Sequence, residues 1–408
     1  MIFVKSPFYN INRIILLLLG IWPYQKSKFI YVQRLFSVGI FISFVACQLL
    51  LFVTEKHTVN LFFTTLSQSL PILICLLKYN AFFINSETVK ILLEQIQHDW
   101  NTLNGKELEI MKQYLNNSRL FMIIFTSFAT MSVCAFTFIQ LLPVTLDVII
   151  PLNVSRPRRF YFRLELFINK EKYFYVIAFY TILSLCVSAA TIVSTGASLL
   201  TFGQHSCAML KIACYRMEHA MDKYKVLHIA KRKEIQNKIV SAVDIHRKAA
   251  EYADILISPF MISYIALIVI GVISLSFNLF CFFQAFFYTH DMQEVLVSVS
   301  LIGGHFLYMF CANYGSQIWY SLVCSSRTNS KVSNVIITTK YENFCTANRW
   351  FIYWITGRIY HADKYILIIL YYDLFYAIIL QQPKNKSIVF NRSLCSYIHT
   401  YSNISLQY

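Results

Sequence analysis

Cysteine and histidine are the side chains here best able to do chemistry, as nucleophiles, metal ligands, disulfide partners or proton carriers. The 408-residue sequence holds 11 Cys and 10 His, with no Cys-x-x-Cys pair and no His-Glu-x-x-His. Cys47, Cys75, Cys134, Cys186, Cys281 and Cys311 fall inside apolar runs, where a thiol behaves as a small hydrophobe. An odd, scattered set of thiols argues against a disulfide framework. No catalytic residue, metal or cofactor is expected. One further chemical mark is Asn153-Val154-Ser155, a sequon able to carry a glycan on the lumenal side of a membrane.

The elements around these residues are long and apolar. Six stretches stand out: S1 (35–53), S2 (61–77), S3 (120–142), S4 (173–200), S5 (255–287) and S6 (295–312). A helix crossing a bilayer needs about 20 apolar residues, because its backbone polar groups must be satisfied within the segment. No globular core needs six such runs, so the expected fold class is all-α, a polytopic membrane protein. The composition agrees: 57% of residues are hydrophobic and only 14% charged, with a net charge of +16 and a mean hydropathy of +0.53. Residues 1–34 read as a leader. Lys5 and Arg13 precede a short apolar run at 14–21, and no small-x-small cleavage site follows. Trp22 and Tyr24 suit headgroup depth, so the expectation is a retained interfacial helix rather than a cleaved signal.

Loop charge predicts orientation, since cytoplasmic loops collect Lys and Arg. The leader carries Lys5, Arg13, Lys26, Lys28 and Arg34 without an acid; the S2–S3 segment carries Lys90, Lys106, Lys112 and Arg119. The S4–S5 segment holds ten basic residues, whereas S1–S2 has Lys56 alone and S5–S6 none. The amino terminus is therefore expected in the cytoplasm, and the basic balance calls for no nucleic-acid partner. The S3–S4 loop runs against the rule, with Arg156, Arg158, Arg159, Arg163, Lys170 and Lys172. A second sequon, Asn116-Asn117-Ser118, lies on the expected inside. Between S4 and S5, Ile235, Ile239 and Val243 recur every four residues, and no Pro or Gly interrupts 204–254. This predicts cytoplasmic helices with one apolar stripe, packed within the subunit or against another. Lys78, near the inner end of S2, is expected to snorkel to headgroups.

Several segments closely resemble the insect odorant receptors. The run from Gln204-His205-Ser206-Cys207 through Lys211 to Arg216-Met217-Glu218-His219 is similar to the end of that family's fourth helix. Ala242-Val243-Asp244-Ile245-His246-Arg247 and Val269-Ile270-Gly271-Val272 also match. Trp22-Pro23-Tyr24, Leu146-Asp147 with Pro151-Leu152-Asn153, and Glu171-Lys172-Tyr173-Phe174-Tyr175 resemble receptors of ants and related Hymenoptera. The resemblance spans about Asn10 to Gln317. It implies a seven-helix subunit with its amino terminus inside, in the plasma membrane of olfactory sensory neurons. Such a subunit assembles with an olfactory co-receptor into a tetrameric, ligand-gated cation channel, binds a volatile small molecule in the outer half of its helices, and lines the pore with its seventh helix. After Gln317 the pattern departs. Ile318-Trp319-Tyr320 is followed by Ser321 and Leu322 without the family's Pro. The substitute is a weak seventh helix at 365–380, interrupted by Asp373, within a divergent tail at 318–408. The expected architecture is thus a seven-helix bundle with an atypical or defective seventh helix.

An odorant pocket should be aromatic-lined with a few orienting polar groups. Helical spacing on the implied outer halves groups Thr64 and Ser67 on S2, Met131, Cys134 and Phe138 on S3, and Ile177, Tyr180 and Ser184 on S4. These are the candidate ligand-binding residues. The alternatives are a non-conducting receptor relic, a gustatory receptor, or a secondary transporter. The last class favours internal repeats and Gly/Pro-broken helices, and no repeat is visible here.

Overall fold

The computed structural model describes residues 9–306, apart from 151–155, 157, 159, 227–231, 291 and 293. All of them belong to one compact unit, Met1–Tyr360. The Asn153 sequon, the expected helix at 365–380 and the tail at 318–408 lie outside the described residues.

The described chain is all-helical, without a strand. A short α1 (Asn10–Leu18) precedes α2 (Phe29–Leu49), a single turn α3 (Leu51–Thr54), α4 (Val59–Ile84), α5 (Ser86–Thr102), α6 (Gly105–Ile149), α7 (Phe174–Val226), α8 (Arg232–Ile257) and α9 (Met261–Gln284). A π turn, Ala285–Thr289, ends α9, and His290 turns the chain with φ 50°. α10 (Glu294–Phe306) follows. Five spans among the described residues are long and apolar enough to cross a membrane: Phe29–Thr54, Val59–Ile84, Gly105–Ile149, Phe174–Ala220 and Gln236–Tyr288. They contain S1, S2, S3 and S5 and all of S4 except its first residue, Tyr173, and α10 contains the first part of S6. The chain is a multi-pass membrane protein.

The helices outrun the apolar stretches that predict them. α6 has 45 residues and α7 has 53. At 1.5 Å per residue α6 alone is about 68 Å long, roughly twice a hydrocarbon core. Both therefore project beyond a bilayer, at the end of the bundle that also carries α5 and α8. That end is called the long-helix end below; the other, where α4 and α7 begin, is the loop end.

At the long-helix end, packing follows helical periods. α5 buries Val89, Leu92, Leu93, Ile96 and Asp99 along one face. α8 buries Ala242, Ile245, Ala249 and Tyr252. The expected α8 stripe sits beside this seam: Ile239 and Val243 are half-buried. Arg216 of α7 clamps the bundle here. Its Nε and Nη2 donate to the Glu107 carboxylate of α6 at 2.6 and 2.7 Å, and Nη1 donates to Ser241 Oγ of α8 at 2.7 Å. Such a bidentate fork fixes geometry as well as charge.

Along α7 the buried polar residues form a ladder of hydroxyls. Thr181, Ser188, Thr191, Thr195, Ser198 and Thr201 donate to the carbonyl four residues earlier at 2.7–2.9 Å. Self-satisfied small residues let other helices approach closely within a membrane. The leader uses this seam: Tyr9 Oη lies 3.0 Å from Ser198 Oγ, to which Asn12 Nδ2 also donates at 2.8 Å. Tyr79 Oη donates to the Leu19 carbonyl at 2.8 Å. The serine of the second sequon is also structural, since Ser118 Oγ lies 2.7 Å from Thr201 Oγ1 and is buried. Lys78 departs from expectation. It is 6% exposed rather than snorkelled, because it shares the inward face of α4 with Ile74, Cys75, Tyr79 and Phe82.

Candidate ligand-binding site

The loop between α6 and α7 does not arch away from the bundle. It folds back into the loop end, alternating burial with exposure: Phe162 and Leu164 are buried, and Tyr161, Arg163 and Glu165 half-buried. Gln68 of α4 holds it there. Its Nε2 donates to the Tyr161 carbonyl at 3.1 Å, and its Oε1 accepts from the Arg163 backbone N–H at 3.1 Å. The Glu165 N–H donates to the Cys47 carbonyl at 2.9 Å. The Phe162 ring packs edge-on to Phe44 with centroids 5.7 Å apart, and lies 5.9 Å from Phe136.

Basic residues of this loop find partners within the protein. Arg156 Nη1 donates to Asp147 Oδ1 at 2.9 Å, and Arg163 Nη2 to Glu294 Oε1 of α10 at 2.8 Å. Lys170 pairs with Glu165 at 3.5 Å, and the Arg158 guanidinium stands 5.6 Å over the Phe174 ring. The Glu165 carboxyl is held below its usual range, first by the Phe167 N–H at 2.9 Å and also by Lys170. Engagement of these cations gives a physical reason for a loop that breaks the charge rule: they serve the fold.

Beneath the loop lies a cavity of about 350 Å³. Its α4 wall is Thr64, Ser67 and Gln68; α7 contributes Ile177, α9 Cys281, and α10 Glu294, Val297 and Ser298. The loop supplies Phe160 to Leu164, Leu166 and Lys170, while Leu51 and Glu55 close the side towards α3. The α4 hydroxyls are already donors: Thr64 Oγ1 to Asn60 Oδ1 at 3.1 Å, and Ser67 Oγ to the Thr64 carbonyl at 2.8 Å. The cavity is partly open and its wall is about as polar as it is apolar, so it can hold a small molecule and orient it by polar contacts. Among the described residues no cluster of His, Cys, Asp and Glu is arranged to hold a metal.

Of the candidate residues, the structure brings Thr64, Ser67 and Ile177 together on this cavity. Tyr180 lies one turn farther along α7, its hydroxyl 2.7 Å from Ser43 Oγ and its ring 6.0 Å from Phe44. Ser184 is fully buried another turn on, outside the cavity wall. Met131, Cys134 and Phe138 share one face of α6, as their spacing predicts, but that face is outward: Met131 is 72% and Phe138 64% exposed. The inward face is the one bearing Met122 and Gln140, 18 residues or five turns apart. Periodicity gives a face without saying which way it points. Gln68, Phe162, Arg163, Glu294 and Ser298 are wall residues that helical spacing does not find. The alternation of Phe162, Leu164 and Leu166 with Arg163 and Glu165 is a readable sign of an extended segment packed on one side.

Comparison with known proteins places this geometry. Two solved structures of the insect olfactory receptor OR5 from Machilis hrabei share the fold. The one in complex with eugenol has a TM-score of 0.55 at 15% identity, covering 76% of this chain and 78% of that one. The other has a TM-score of 0.53 at 14% identity, covering 77% and 79%. No curated protein sequence matches. The family model described as 7tm odorant receptor matches residues 58–322, from the cap of α4 past the end of α10. It takes in the cavity walls apart from Leu51 and Glu55, and the chain belongs to the 7tm odorant receptor family.

Proposed function

We propose that this protein is the odorant-binding subunit of a ligand-gated cation channel, formed as a hetero-oligomer, a tetramer, with an olfactory co-receptor. The observation that carries the reading is the partly open cavity at the loop end, bordered by a folded-in loop, in a chain of the odorant receptor family. A volatile molecule enters beneath the loop and packs on Ile177 and Phe162, within reach of Thr64 and Ser67. Binding energy reaches the rest of the subunit through α10, which contributes to the cavity wall and is tied to the loop by Arg163 and Glu294. The subunit does no covalent chemistry.

The charge distribution supports a cytoplasmic amino terminus, which puts the long-helix end inside and the cavity at the outer leaflet. In that orientation odorant partitions from the sensory surface of an olfactory neuron's plasma membrane. At about 30 Å³ for each water-sized unit, 350 Å³ holds a ligand of about a dozen non-hydrogen atoms. Eugenol, the ligand of one OR5 structure, belongs to this size class and is a sensible first probe.

The test is odorant-evoked cation current in cells expressing the chain with a co-receptor, alongside direct binding to the purified chain. Ile177→Trp, which fills the cavity, is expected to abolish both while leaving surface expression intact. Undiminished ligand binding in that variant would place the site elsewhere.

A further inference from the structure

Where basic side chains crowd together in this protein, carboxylates take them up: Arg156, Arg163 and Lys170 around the α6–α7 loop and Arg216 at the long-helix end each pair with an Asp or Glu at 2.6–3.5 Å. The turn into α2 is different. Lys26, Lys28 and Arg34 have no carboxylate partner among the described residues, and the first acidic residue of the sequence is Glu55. Lys26 and Lys28 are exposed, and Arg34 is half-buried. The α5 acids beside this turn are engaged already: Glu94 accepts from Tyr24 Oη at 3.3 Å, and Glu87 pairs with Lys90 at 3.4 Å. The positive charge of the turn is left uncompensated by the protein.

These cations are placed by a built turn. Gly20 has φ +73°, and a Cβ there would stand 3.0 Å from Gln33 Cβ, so glycine lets the turn lie directly on α2. Gln33 Nε2 donates to the Leu17 carbonyl at 3.2 Å, and its Oε1 accepts from Gln25 Nε2 at 2.7 Å. Arg34 Nε donates to the Gly20 carbonyl at 2.9 Å, and its guanidinium stands 4.5 Å over the Phe83 ring of α4. Its Nη groups remain without a hydrogen-bond partner among the described residues. Depth follows from the spans. One starts at Phe29 and another stops at Ile84, so the cations mark the end of two membrane crossings. Trp22 and Tyr24 stand in the same turn, and both residue types favour headgroup depth. The nearby surface is apolar, with Leu18, Leu35 and Ile84 each 70–76% exposed.

We propose that Lys26, Lys28 and Arg34 form a binding site for an anionic phospholipid. The headgroup oxygens accept from the two ammonium groups and the Arg34 Nη groups, while the acyl chains lie on Leu18, Leu35 and Ile84. A dissolved anion would meet the charge and leave that apolar surface bare, whereas a lipid covers both. The bound lipid bridges the leader turn to the start of α2 and the end of α4. The site is independent of the odorant cavity, whose α4 wall lies at the opposite end of that helix.

The test is native mass spectrometry of the full chain released from nanodiscs of equal phosphatidylserine and phosphatidylcholine, recording which lipid stays bound. The wild type is expected to retain phosphatidylserine preferentially. Each Lys or Arg beside an anionic surface is worth about fivefold in binding, so Lys26→Gln with Lys28→Gln should cut that retention about twenty-fivefold. Lys26→Glu with Lys28→Glu should abolish the preference. Arg247→Gln with Lys248→Gln removes the same charge from the exposed face of α8 and should leave it unchanged. Equal retention of both lipids by the wild type would overturn the site. So would an equal loss from the leader and α8 double variants, because net charge alone would then account for binding. Displacement of the lipid by millimolar inorganic phosphate would overturn the lipid assignment in favour of a soluble anion. A nanodisc presents the same lipids on both faces, so no outcome depends on which end of the bundle is cytoplasmic.

Discussion

Replacing Gln68 by leucine should detach the α6–α7 loop from the bundle without unfolding it. Gln68 is 5% exposed and keeps shape and volume close to leucine, so packing of α4 changes little. What disappears towards the loop is the pair of bonds its amide makes with the Tyr161 carbonyl and the Arg163 N–H, both 3.1 Å; the longer bond its Oε1 accepts from Gln48 Nε2 at 3.4 Å, within the bundle, goes as well. The loop backbone borders an open cavity, so water can take over part of each lost bond. A net value of about 1 kcal/mol per bond applies, or about 2 kcal/mol together. At 1.4 kcal/mol per factor of ten, local opening becomes about thirtyfold more frequent. Hydrogen exchange read by mass spectrometry on peptides within 156–173 should accelerate by that factor, while peptides from the α7–α8 seam keep their rates. Exchange in the loop within twofold of wild type, at unchanged overall stability, would refute the claim that Gln68 is what holds the loop in.

Two further outcomes are expected. Folding lowers the Glu165 carboxyl below its ordinary 4.5, chiefly through the Phe167 N–H; its stabilisation of the loop is complete above that value and lost as pH falls through the lower folded one. Loop protection factors should therefore be flat at neutral pH and drop in acid, and Glu165→Gln should flatten that drop. Met131→Ala and Phe138→Ala, on the outward face of α6, should leave odorant potency within about twofold. Ile177→Ala should weaken it about fiftyfold, since it takes three carbons out of contact at about 0.8 kcal/mol each; dose–response curves of evoked current decide between the two sets.

Much of the membrane architecture was legible in one dimension because the bilayer imposes a one-dimensional rule: a spanning helix must be long, apolar and internally hydrogen-bonded. S1 to S5 each coincide with a span found in the structure, S4 to within one residue. The receptor motifs around His205 and Ala242 likewise sit on helices that meet: His205 is fully buried, 4.8 Å in ring centroids from Tyr252 of α8 and 3.1 Å from Asp99 of α5. α5 was harder to see. Its apolar residues mark one face, but the helix is too polar on the other to register as a membrane stretch. Lys78 was misplaced for a related reason. Snorkelling assumes a helix end facing lipid, and that end of α4 is covered from distant parts of the chain: Tyr79 bonds the Leu19 carbonyl and Phe82 packs 5.4 Å in ring centroids from Phe260.

The candidate site divides along the same line. Sequence alone determined that the protein is a polytopic helical receptor-like chain and that Thr64, Ser67 and Ile177 lie at suitable positions along their helices, because length, hydropathy and period are local properties. Only the tertiary structure decided that Met131, Cys134 and Phe138 face outward, that a basic loop folds inward to border a cavity, and that Arg163 and Ser298 share its wall. Helix rotation is set by what packs against it, and a loop's path by partners such as Gln68 and Glu294, which stand 95 and 131 residues from Arg163 in sequence.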